Sequence, residues 1–209
     1  MSLDRPDPSK IVAVAKNYAD HAAEMHSVAP FRPMIFLKPS TAVIGPGEAI
    51  ELPSQSERVD YEAELAVVIG TRARNIAAAD ADSVIMGYTI ANDVTARDLQ
   101  ATDGQWSRSK SFDTFCPLFD EVNTEITSDD VAAGLSITCE LNGEVVQQST
   151  TEHMIHSVPR LVEWITSIMT LLPGDVILTG TPAGMGQLHS GDEVSVTIER
   201  IGTLNNPVA

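Results

Sequence analysis

Two glutamates interrupt a strand-like apolar segment between Val59 and Gly70, and this segment constrains the fold and the chemistry of the chain more than any other. Glu62 and Glu64 are two residues apart, and because side chains on a strand alternate between faces, both are expected to point the same way. Neighbouring carboxylates repel each other, and a divalent cation with a preference for oxygen ligands would offset that repulsion. Taken alone, such a pair more often marks an edge strand with a solvated acidic face, so the rest of the chain has to decide.

The charge of the chain disfavours several classes of partner. The 209 residues carry a formal net charge of −16, which argues against nucleic acid and anionic membrane surfaces as partners. An anionic substrate would need a local cation to reverse the potential. Cys116 and Cys139 are the only cysteines, which predicts a reducing, cytoplasmic environment, and neither a signal peptide nor an apolar run of transmembrane length is recognisable.

The apolar periodicity predicts one domain that is rich in short strands and carries two or three helices on its outside. We expect this domain to comprise residues 11–209, after a polar lead-in over residues 1–10. Asn142-Gly143 lies between two alternating segments and predicts a hairpin with a type I′ turn. Helical spacing over residues 158–172 predicts a helix packed on the core, and a shorter helix is expected over residues 75–84.

A histidine and a glutamate near the N-terminus form a candidate catalytic pair. Asn17 is a plausible N-cap for a short helix over residues 18–25, on which His21 and Glu24 would share a face. A carboxylate beside an imidazole orients the ring and raises its basicity, as a general base requires. An ordinary surface His–Glu pair is the commoner explanation of this spacing alone.

Three further features are candidates for a site. Asp93 lies where a strand is expected to end, which is a usual place for functional side chains, although it would also serve as a helix N-cap. Lys110 lies in a polar loop over residues 105–112, where a lone lysine is usually solvated. A glycine-rich turn over residues 180–186 lacks the spacing of phosphate and dinucleotide loops, so it either brings backbone amides close to a small group such as a carboxylate or is simply a tight turn.

Taken together, these motifs resemble those of the fumarylacetoacetate hydrolase family. Each motif is short, but seven of them follow one another in the family's order across residues 11–208, and the match is closest to the short branch that includes acylpyruvate hydrolases and oxaloacetate decarboxylases. The matching motifs are Lys16-Asn17-Tyr18-Ala19-Asp20-His21 with Glu24, Phe36-Leu37-Lys38-Pro39, Asp60-Tyr61-Glu62-Ala63-Glu64, Asn92-Asp93-Val94-Thr95-Ala96-Arg97-Asp98, Lys110-Ser111-Phe112-Asp113, Leu178-Thr179-Gly180-Thr181-Pro182, and Gly202-Thr203-Leu204-Asn205-Asn206-Pro207.

The resemblance implies both a fold and a metal centre. It implies an α+β, mostly β fold, a mixed β-roll or barrel with a few peripheral helices, usually found as a homodimer. It also implies Mg²⁺ or Mn²⁺ at the active site. Carried over residue by residue, the metal ligands would be Glu62, Glu64 and Asp93.

The resemblance also assigns roles around the metal. Lys110 would be the cation beside it, and His21 with Glu24 would activate water on a segment that closes as a lid. The positions expected to line the substrate pocket are Arg97, Gln100 and Thr181. In one departure, Ala15 and Lys16 replace the Gly-Arg pair with which the first motif often opens, and lysine keeps the charge without the bidentate fork of arginine.

This pattern predicts an enzyme that cleaves a C–C bond in small 2-oxo acids such as acylpyruvates, through a metal-stabilised pyruvate enolate. Because His21 and Glu24 are both present, we expect hydrolysis, with oxaloacetate decarboxylation as a second activity. One alternative is an enzyme of aromatic catabolism of the 2-hydroxyhepta-2,4-diene-1,7-dioate isomerase or decarboxylase type. Another, from a different class, is a non-catalytic β-domain that binds a cation.

Overall fold

The computed structural model describes residues 7–24 and 30–209, with the backbone alone for residues 21–23. These residues contain thirteen strands and five short α-helices. The strands are β1 Ile11–Ala15, β2 Met34–Lys38, β3 Val43–Ile44, β4 Val59–Asp60, β5 Ala63–Ile69, β6 Ile85–Asn92, β7 Thr95–Ala96, β8 Cys116–Pro117, β9 Ser136–Leu141, β10 Glu144–Thr150, β11 Val176–Leu178, β12 Glu193–Ile198 and β13 Gly202–Pro207. The helices are α1 Ala19–Glu24, α2 Arg97–Thr102, α3 Ser107–Lys110, α4 Ser128–Ala133 and α5 Val158–Ile168.

Most of the strands belong to two open sheets. The larger has the order β2-β1-β11-β5-β6, and the smaller has the order β10-β9-β12-β13. In the larger sheet β1 and β11 are parallel and the other neighbours are antiparallel. Two short pairs, β3 with β8 and β4 with β7, complete the pairing of the strands. The predicted strand-rich fold with few helices is confirmed, and none of the described sheets closes into a barrel.

The segment with the two glutamates lies inside the larger sheet. The segment is interrupted at Tyr61 and Glu62, so it forms two strands: β4, which pairs with β7, and β5, which belongs to the larger sheet. All seven residues of β5 are buried, and β5 pairs with β11 on one side and with β6 on the other. An edge strand with a solvated acidic face is therefore excluded.

The alternation of β5 separates an apolar core from the polar site. Leu65, Val67 and Ile69 belong to the main apolar core, which also contains residues of β12 and α5. Glu64 shares the opposite face with Ala66, which packs in a second, smaller apolar cluster. The strand thus anchors the sheet in the core with one face and carries a carboxylate on the other.

Several local predictions are confirmed and others are wrong. Asn142 and Gly143 have φ angles of 54° and 82°, as a type I′ turn between β9 and β10 requires. The helix predicted over residues 75–84 is only a 3-10 helix, Ala78–Ser83, and α5 ends at Ile168 rather than at residue 172. Among the described helices, none combines the length and the apolar character needed to cross a bilayer.

Two predictions about the N-terminal region concern segments that lie partly outside the described residues. The lead-in over residues 1–10 includes residues 1–6, and the end of the helix expected over residues 18–25 includes Met25, both outside the described residues. Helix α1 begins at Ala19, so Asn17 lies one residue before the N-cap position rather than at it. Its side-chain amide donates to the carbonyls of His156 at 3.0 Å and Thr179 at 2.8 Å and accepts from the His156 amide, so it joins distant loops instead.

Candidate metal centre

Three carboxylates meet where the start of β5 lies beside the end of β6. Ala63 pairs with Asn92 in the antiparallel register, and the backbone amide of Asp93 donates to the carbonyl of Glu62 at 2.8 Å. This pairing brings together the side chains of Glu62, Glu64 and Asp93, whose oxygens lie within 4.8 Å of one another. All three side chains are buried, with exposed fractions of 4%, 1% and 1%.

Burying three carboxylates together is unfavourable unless cations compensate for their charge. Burial raises the pKa of Glu64 well above its ordinary value, and the charges of Asp93 and Glu62 raise it further, against the opposing effect of Lys110 and of the Gly180 amide. Buried oxygen donors at this spacing are the ligands that Mg²⁺ and Mn²⁺ prefer. The donor set therefore fits a divalent cation.

The raised pKa of Glu64 makes the stability of the metal-free protein depend on pH. Since the folded pKa exceeds the unfolded value of about 4.3, the stability contributed by protonated Glu64 is complete below the unfolded pKa and is lost as the pH rises through the folded pKa. With EDTA present, we expect Glu64→Gln to gain stability over the wild type as the pH rises from about 5 to about 8. Urea unfolding of both proteins across that range measures the difference, and a constant difference would contradict the raised pKa.

Two lysines divide the oxygens of Asp93 between them. Lys110 Nζ lies 2.7 Å from Asp93 Oδ2 and 2.9 Å from Glu62 Oε2, and Lys38 Nζ lies 2.6 Å from Asp93 Oδ1. Burial lowers the pKa of Lys110, but the charges of Asp93 and Glu62 outweigh that effect and leave the pKa raised. Both ammonium groups are buried beside carboxylates, so the interpretation of Lys110 as a solvated surface residue is wrong.

Arg97 connects the site to a fourth buried carboxylate. At the start of α2, its guanidinium lies 2.5 Å from Glu62 Oε1 and 2.9 Å from Asp60 Oδ2, and it donates to Gln100 Oε1 at 2.6 Å. Arg58 also binds Asp60, with 2.9 Å between Nε and Oδ1. Together with the two lysines, these arginines make the site far less negative than the chain as a whole.

A single cavity of about 20 Å³ is lined by the three carboxylates and the predicted pocket residues. One wall is aromatic: Phe36 and Trp106 pack edge to face with ring centroids 5.5 Å apart, and Lys110 Nζ lies 5.0 Å from the Phe36 centroid. The lining residues are Val14, Ala15, Lys16, Phe36, Glu62, Glu64, Asp93, Arg97, Gln100, Trp106, Lys110 and Thr181.

The glycine-rich turn closes this cavity with a backbone contact. The amide of Gly180 donates to Glu64 Oε2 at 2.6 Å, so the turn does bring an amide to a carboxylate, but to one of the protein's own. Gly180 has a φ of 100°, and a Cβ there would lie 2.7 Å from the Cβ of Asn17. Glycine is thus required both by the backbone conformation and by the close approach.

Comparison with known proteins identifies the chain. Residues 10–209 match the family described as fumarylacetoacetate (FAA) hydrolase, C-terminal. The chain belongs to the fumarylacetoacetate hydrolase family. Members of this family are metal-dependent hydrolases, isomerases, decarboxylases and tautomerases, so the protein is an enzyme of that class.

Three relatives of this fumarylacetoacetate hydrolase family member bear on its chemistry. A mitochondrial protein of Rattus norvegicus named oxaloacetate tautomerase is 44% identical over 96% of this chain and 66% of its own length. The structure of 2-hydroxyhepta-2,4-diene-1,7-dioate isomerase from Mycobacterium marinum is 50% identical, covers 99% of this chain and 77% of that one, and has a TM-score of 0.90. The structure of fumarylpyruvate hydrolase from Pseudomonas aeruginosa, in complex with Mn²⁺ and pyruvate, is 29% identical, covers 96% and 89%, and has a TM-score of 0.88.

The structure places one half of the candidate histidine–glutamate pair near the glycine-rich turn. Glu24, at the end of α1, accepts a hydrogen bond from the Gly184 amide, 3.2 Å from its Oε2. The side chain of His21 lies outside the described residues. The expected contact between the two side chains thus stays a prediction for this family member.

The departure from the family's first motif lies at the cavity that the three carboxylates line. Ala15 and Lys16 both line it, and Lys16 has a left-handed backbone conformation with a φ of 58°. A lysine here offers one rotatable ammonium instead of a planar fork.

Sequence reasoning did not single out two charged residues of the site. Asp60 has the same spacing of two from Glu62 that Glu62 has from Glu64, and this alternation could have revealed it. Lys38 ends an otherwise apolar strand before a proline, and an ion-pair role was not deducible because its partner Asp93 is distant in sequence. Their burial, at 0% and 1% exposed, identifies both as structural parts of the charge network.

Proposed function

We propose that this enzyme uses Mg²⁺ or Mn²⁺, held by Glu62, Glu64 and Asp93, to cleave a C–C bond in small 2-oxo acids such as acylpyruvates, with oxaloacetate decarboxylation as a second activity. The observation that carries the proposal is the buried carboxylate cluster beside Lys110, in the lining of one cavity. The relative crystallised with Mn²⁺ and pyruvate supports both the ion and the substrate class.

The chain provides separate groups for the two ends of such a substrate. When bound, the cation would act as a Lewis acid on the oxygens of the 2-oxo acid. The ammonium of Lys110 adds positive charge where negative charge develops on the keto oxygen as the C–C bond breaks. The apolar wall of Phe36 and Trp106 offers a water-poor surface to the remainder of the substrate.

Water has to be activated for hydrolysis but not for the alternative reactions. In the hydrolysis of acetylpyruvate, water adds to the distal carbonyl and the products are acetate and pyruvate, so a base has to remove a proton from that water. We assign this role to His21, oriented by Glu24. Decarboxylation of oxaloacetate to pyruvate and CO₂ needs a proton donor at the carbon that loses CO₂, but no added water.

Isomerisation without C–C cleavage is a second candidate function. It is favoured by the 50% identity to a protein named as a 2-hydroxyhepta-2,4-diene-1,7-dioate isomerase and by the 44% identity to a protein named as an oxaloacetate tautomerase. Both reactions move a proton next to a 2-oxo group. The same ion and Lys110 would serve them, with no need for a water nucleophile.

Product analysis separates these functions. Acetylpyruvate, oxaloacetate and 2-hydroxyhepta-2,4-diene-1,7-dioate are incubated with the enzyme and Mg²⁺, Mn²⁺ or EDTA, and the products are followed by NMR. We expect metal-dependent formation of acetate and pyruvate from acetylpyruvate. Pyruvate from oxaloacetate alone would make the enzyme a decarboxylase, interconversion without cleavage would make it an isomerase, and full activity with EDTA would contradict the metal proposal.

His21→Ala is expected to separate hydrolysis from decarboxylation. Loss of a general base lowers kcat for acetylpyruvate by about 100-fold or more, whereas decarboxylation of oxaloacetate, which needs no water nucleophile, changes little. Steady-state kinetics on both substrates measure the ratio. The control is His153→Ala, because His153 lies in a 3-10 helix with a side chain that is 60% exposed. Equal losses on both substrates would show that His21 has another role.

We also infer that the enzyme is a homodimer, with no nucleic acid or membrane partner. The inference is supported by large apolar side chains exposed on and beside the sheet-edge strand β2: Phe31 is 94% exposed and Leu37 is 49% exposed. Exposed apolar groups clustered at a sheet edge favour association. Light scattering coupled to size-exclusion chromatography tests the inference, and a monomer mass at micromolar concentration would contradict it.

A further inference from the structure

Gln147 is a buried glutamine with no assigned role that forms hydrogen bonds both to the start of β5, between the two glutamates, and to the turn at residues 180–182. It lies in β10, next to an irregularity in the pairing with β9 between Val145 and Gln147, and is 1% exposed. Its Oε1 accepts from the backbone amide of Ala63 at 3.0 Å. Its Nε2 donates to Thr181 Oγ1 at 2.9 Å and to the carbonyl of Pro182 at 2.8 Å.

These partners determine which way round the amide group of Gln147 lies. The backbone amide of Ala63 is only a donor, so the atom facing it has to be the side-chain oxygen. The carbonyl of Pro182 is only an acceptor, so the atom facing it has to be the nitrogen. Gln147 consequently acts as a donor, not an acceptor, toward the hydroxyl of Thr181.

This direction of donation sets the direction of the Thr181 hydroxyl. Because Oγ1 accepts from Gln147, its own proton is left for another acceptor. Among the described residues, none accepts that proton, and Thr181 lines the cavity together with Glu62, Glu64 and Asp93. The Thr181 hydroxyl is thus available to donate a hydrogen bond to an anionic oxygen in the cavity.

The same glutamine fixes Thr181 relative to the carboxylates. The residue whose amide it binds, Ala63, lies between Glu62 and Glu64 in sequence, and Gly180, next to Thr181, donates to Glu64. Two buried hydrogen-bonded connections therefore join the start of β5 to the turn at residues 180–182. The distance between the proposed metal ligands and the hydroxyl donor is set by both.

We propose that Gln147 is a positioning residue that orients the Thr181 hydroxyl to bind the carboxylate of a 2-oxo acid. This inference rests on the proposed function, since it assigns the recognition of the substrate's carboxylate in the same cavity. Gln147 itself does not touch the substrate. It acts through Thr181, and its effect therefore depends on the presence of that hydroxyl.

Gln147→Glu tests the direction of donation without changing the size of the side chain. A carboxylate at this position still accepts from Ala63 but no longer donates to Thr181, so the hydroxyl turns to donate to Glu at position 147 instead of to the ligand. With pyruvate as the probe and Mn²⁺ present, we expect its dissociation constant, measured by calorimetry, to rise about tenfold. The dissociation constant of Mn²⁺ alone is expected not to rise.

A double-mutant cycle tests whether Gln147 acts through Thr181. Thr181→Val removes the hydroxyl and should weaken pyruvate binding by a similar factor, Thr181→Ser should retain binding, and Gln147→Glu should add no further loss in the Thr181→Val background. The matched control is Gln148→Glu, which introduces the same charge at the neighbouring exposed position.

Each outcome discriminates between the two proposals. Folded Gln147→Glu protein that binds pyruvate like the wild type, or losses that add fully in the double variant, would overturn the role of Gln147. Should Gln147→Glu not fold, Gln147→Met, which also removes the donor to Thr181, takes its place in the cycle, and undiminished pyruvate binding by that variant would overturn the inference. Wild-type protein that binds Mn²⁺ but no pyruvate would instead overturn the proposed function, and with it the ligand assigned to Thr181.

Discussion

Replacing Glu64 with glutamine is expected to abolish metal-dependent turnover while making the metal-free protein more stable. The substitution keeps the shape of the side chain and an oxygen that can accept from the Gly180 amide. It removes a buried charge whose pKa is raised by burial and by its neighbours Asp93 and Glu62. We expect a loss of at least about 1,000-fold in kcat/KM and a higher unfolding free energy than that of the wild type at neutral pH with EDTA.

Kinetics and urea unfolding of the same preparations test both halves of this prediction. Calorimetry with Mn²⁺ shows whether the lost activity follows from lost metal binding. Glu144→Gln is the matched control, since it makes the same chemical change at an exposed position of the β9–β10 hairpin. Unchanged Mn²⁺ affinity in Glu64→Gln would show that Glu64 is not a metal ligand. A metal-free Glu64→Gln protein that is less stable than the wild type would show that burying the charge of Glu64 is not unfavourable.

The second large effect is expected for Lys110→Met, which should lower turnover and, unlike Glu64→Gln, also lower the stability of the protein. Methionine fills a similar volume but leaves Glu62 and Asp93 without the buried ammonium that lies 2.9 Å and 2.7 Å from their oxygens. Breaking a buried ion pair by removing one partner costs about 3 kcal/mol of folding free energy. Turnover should fall by about 100-fold or more, because the positive charge next to the reacting keto oxygen is lost.

Thermal unfolding with and without Mn²⁺ distinguishes the two roles of Lys110. A bound divalent cation supplies positive charge to the same carboxylates, so Mn²⁺ should raise the midpoint of Lys110→Met more than that of the wild type. The control is Arg72→Met, which removes a cation from the exposed surface. A variant that keeps full turnover would show that Lys110 serves folding alone.

Local chemistry explains why much of the fold was predictable. The Asn142-Gly143 turn needs two residues with positive φ, and few other pairs adopt that conformation readily. The helical spacing of apolar residues in α5 predicts which of its faces packs on the core. The segment around Glu62 and Glu64 shows the alternation that is typical of a strand. By contrast, α4 was not predicted, although its start carries a capping box of Thr127 and Asp130 that the sequence displays.

The ionic surroundings of the site were less accessible from sequence because they depend on contacts between distant segments. Polar, hydroxyl-rich surroundings alone favour a solvated Lys110, and only the family resemblance predicted a place beside the metal; the packing of α3 against β2 and β7 buries it. Lys38 and Gln147 are likewise buried by contacts with distant segments. Gln147 lies in strand β10, most of whose residues are exposed or half-buried. Its partners Ala63 and Thr181 are 84 and 34 residues away, and no local pattern predicts such pairing.

The order of strands in the larger sheet has a consequence for the growing chain on the ribosome. The middle strand, β11, is made late, yet it is the one that joins β1 to β5. Until Val176–Leu178 has left the ribosome exit tunnel, the antiparallel pairs β1–β2 and β5–β6 each present an unpaired inner edge, which favours association with other chains. Pairing across so long a stretch is also slow. A nascent chain that stalls after β10 is therefore expected to be a target for chaperones and a source of aggregates, even though it already contains all three carboxylates of the metal centre.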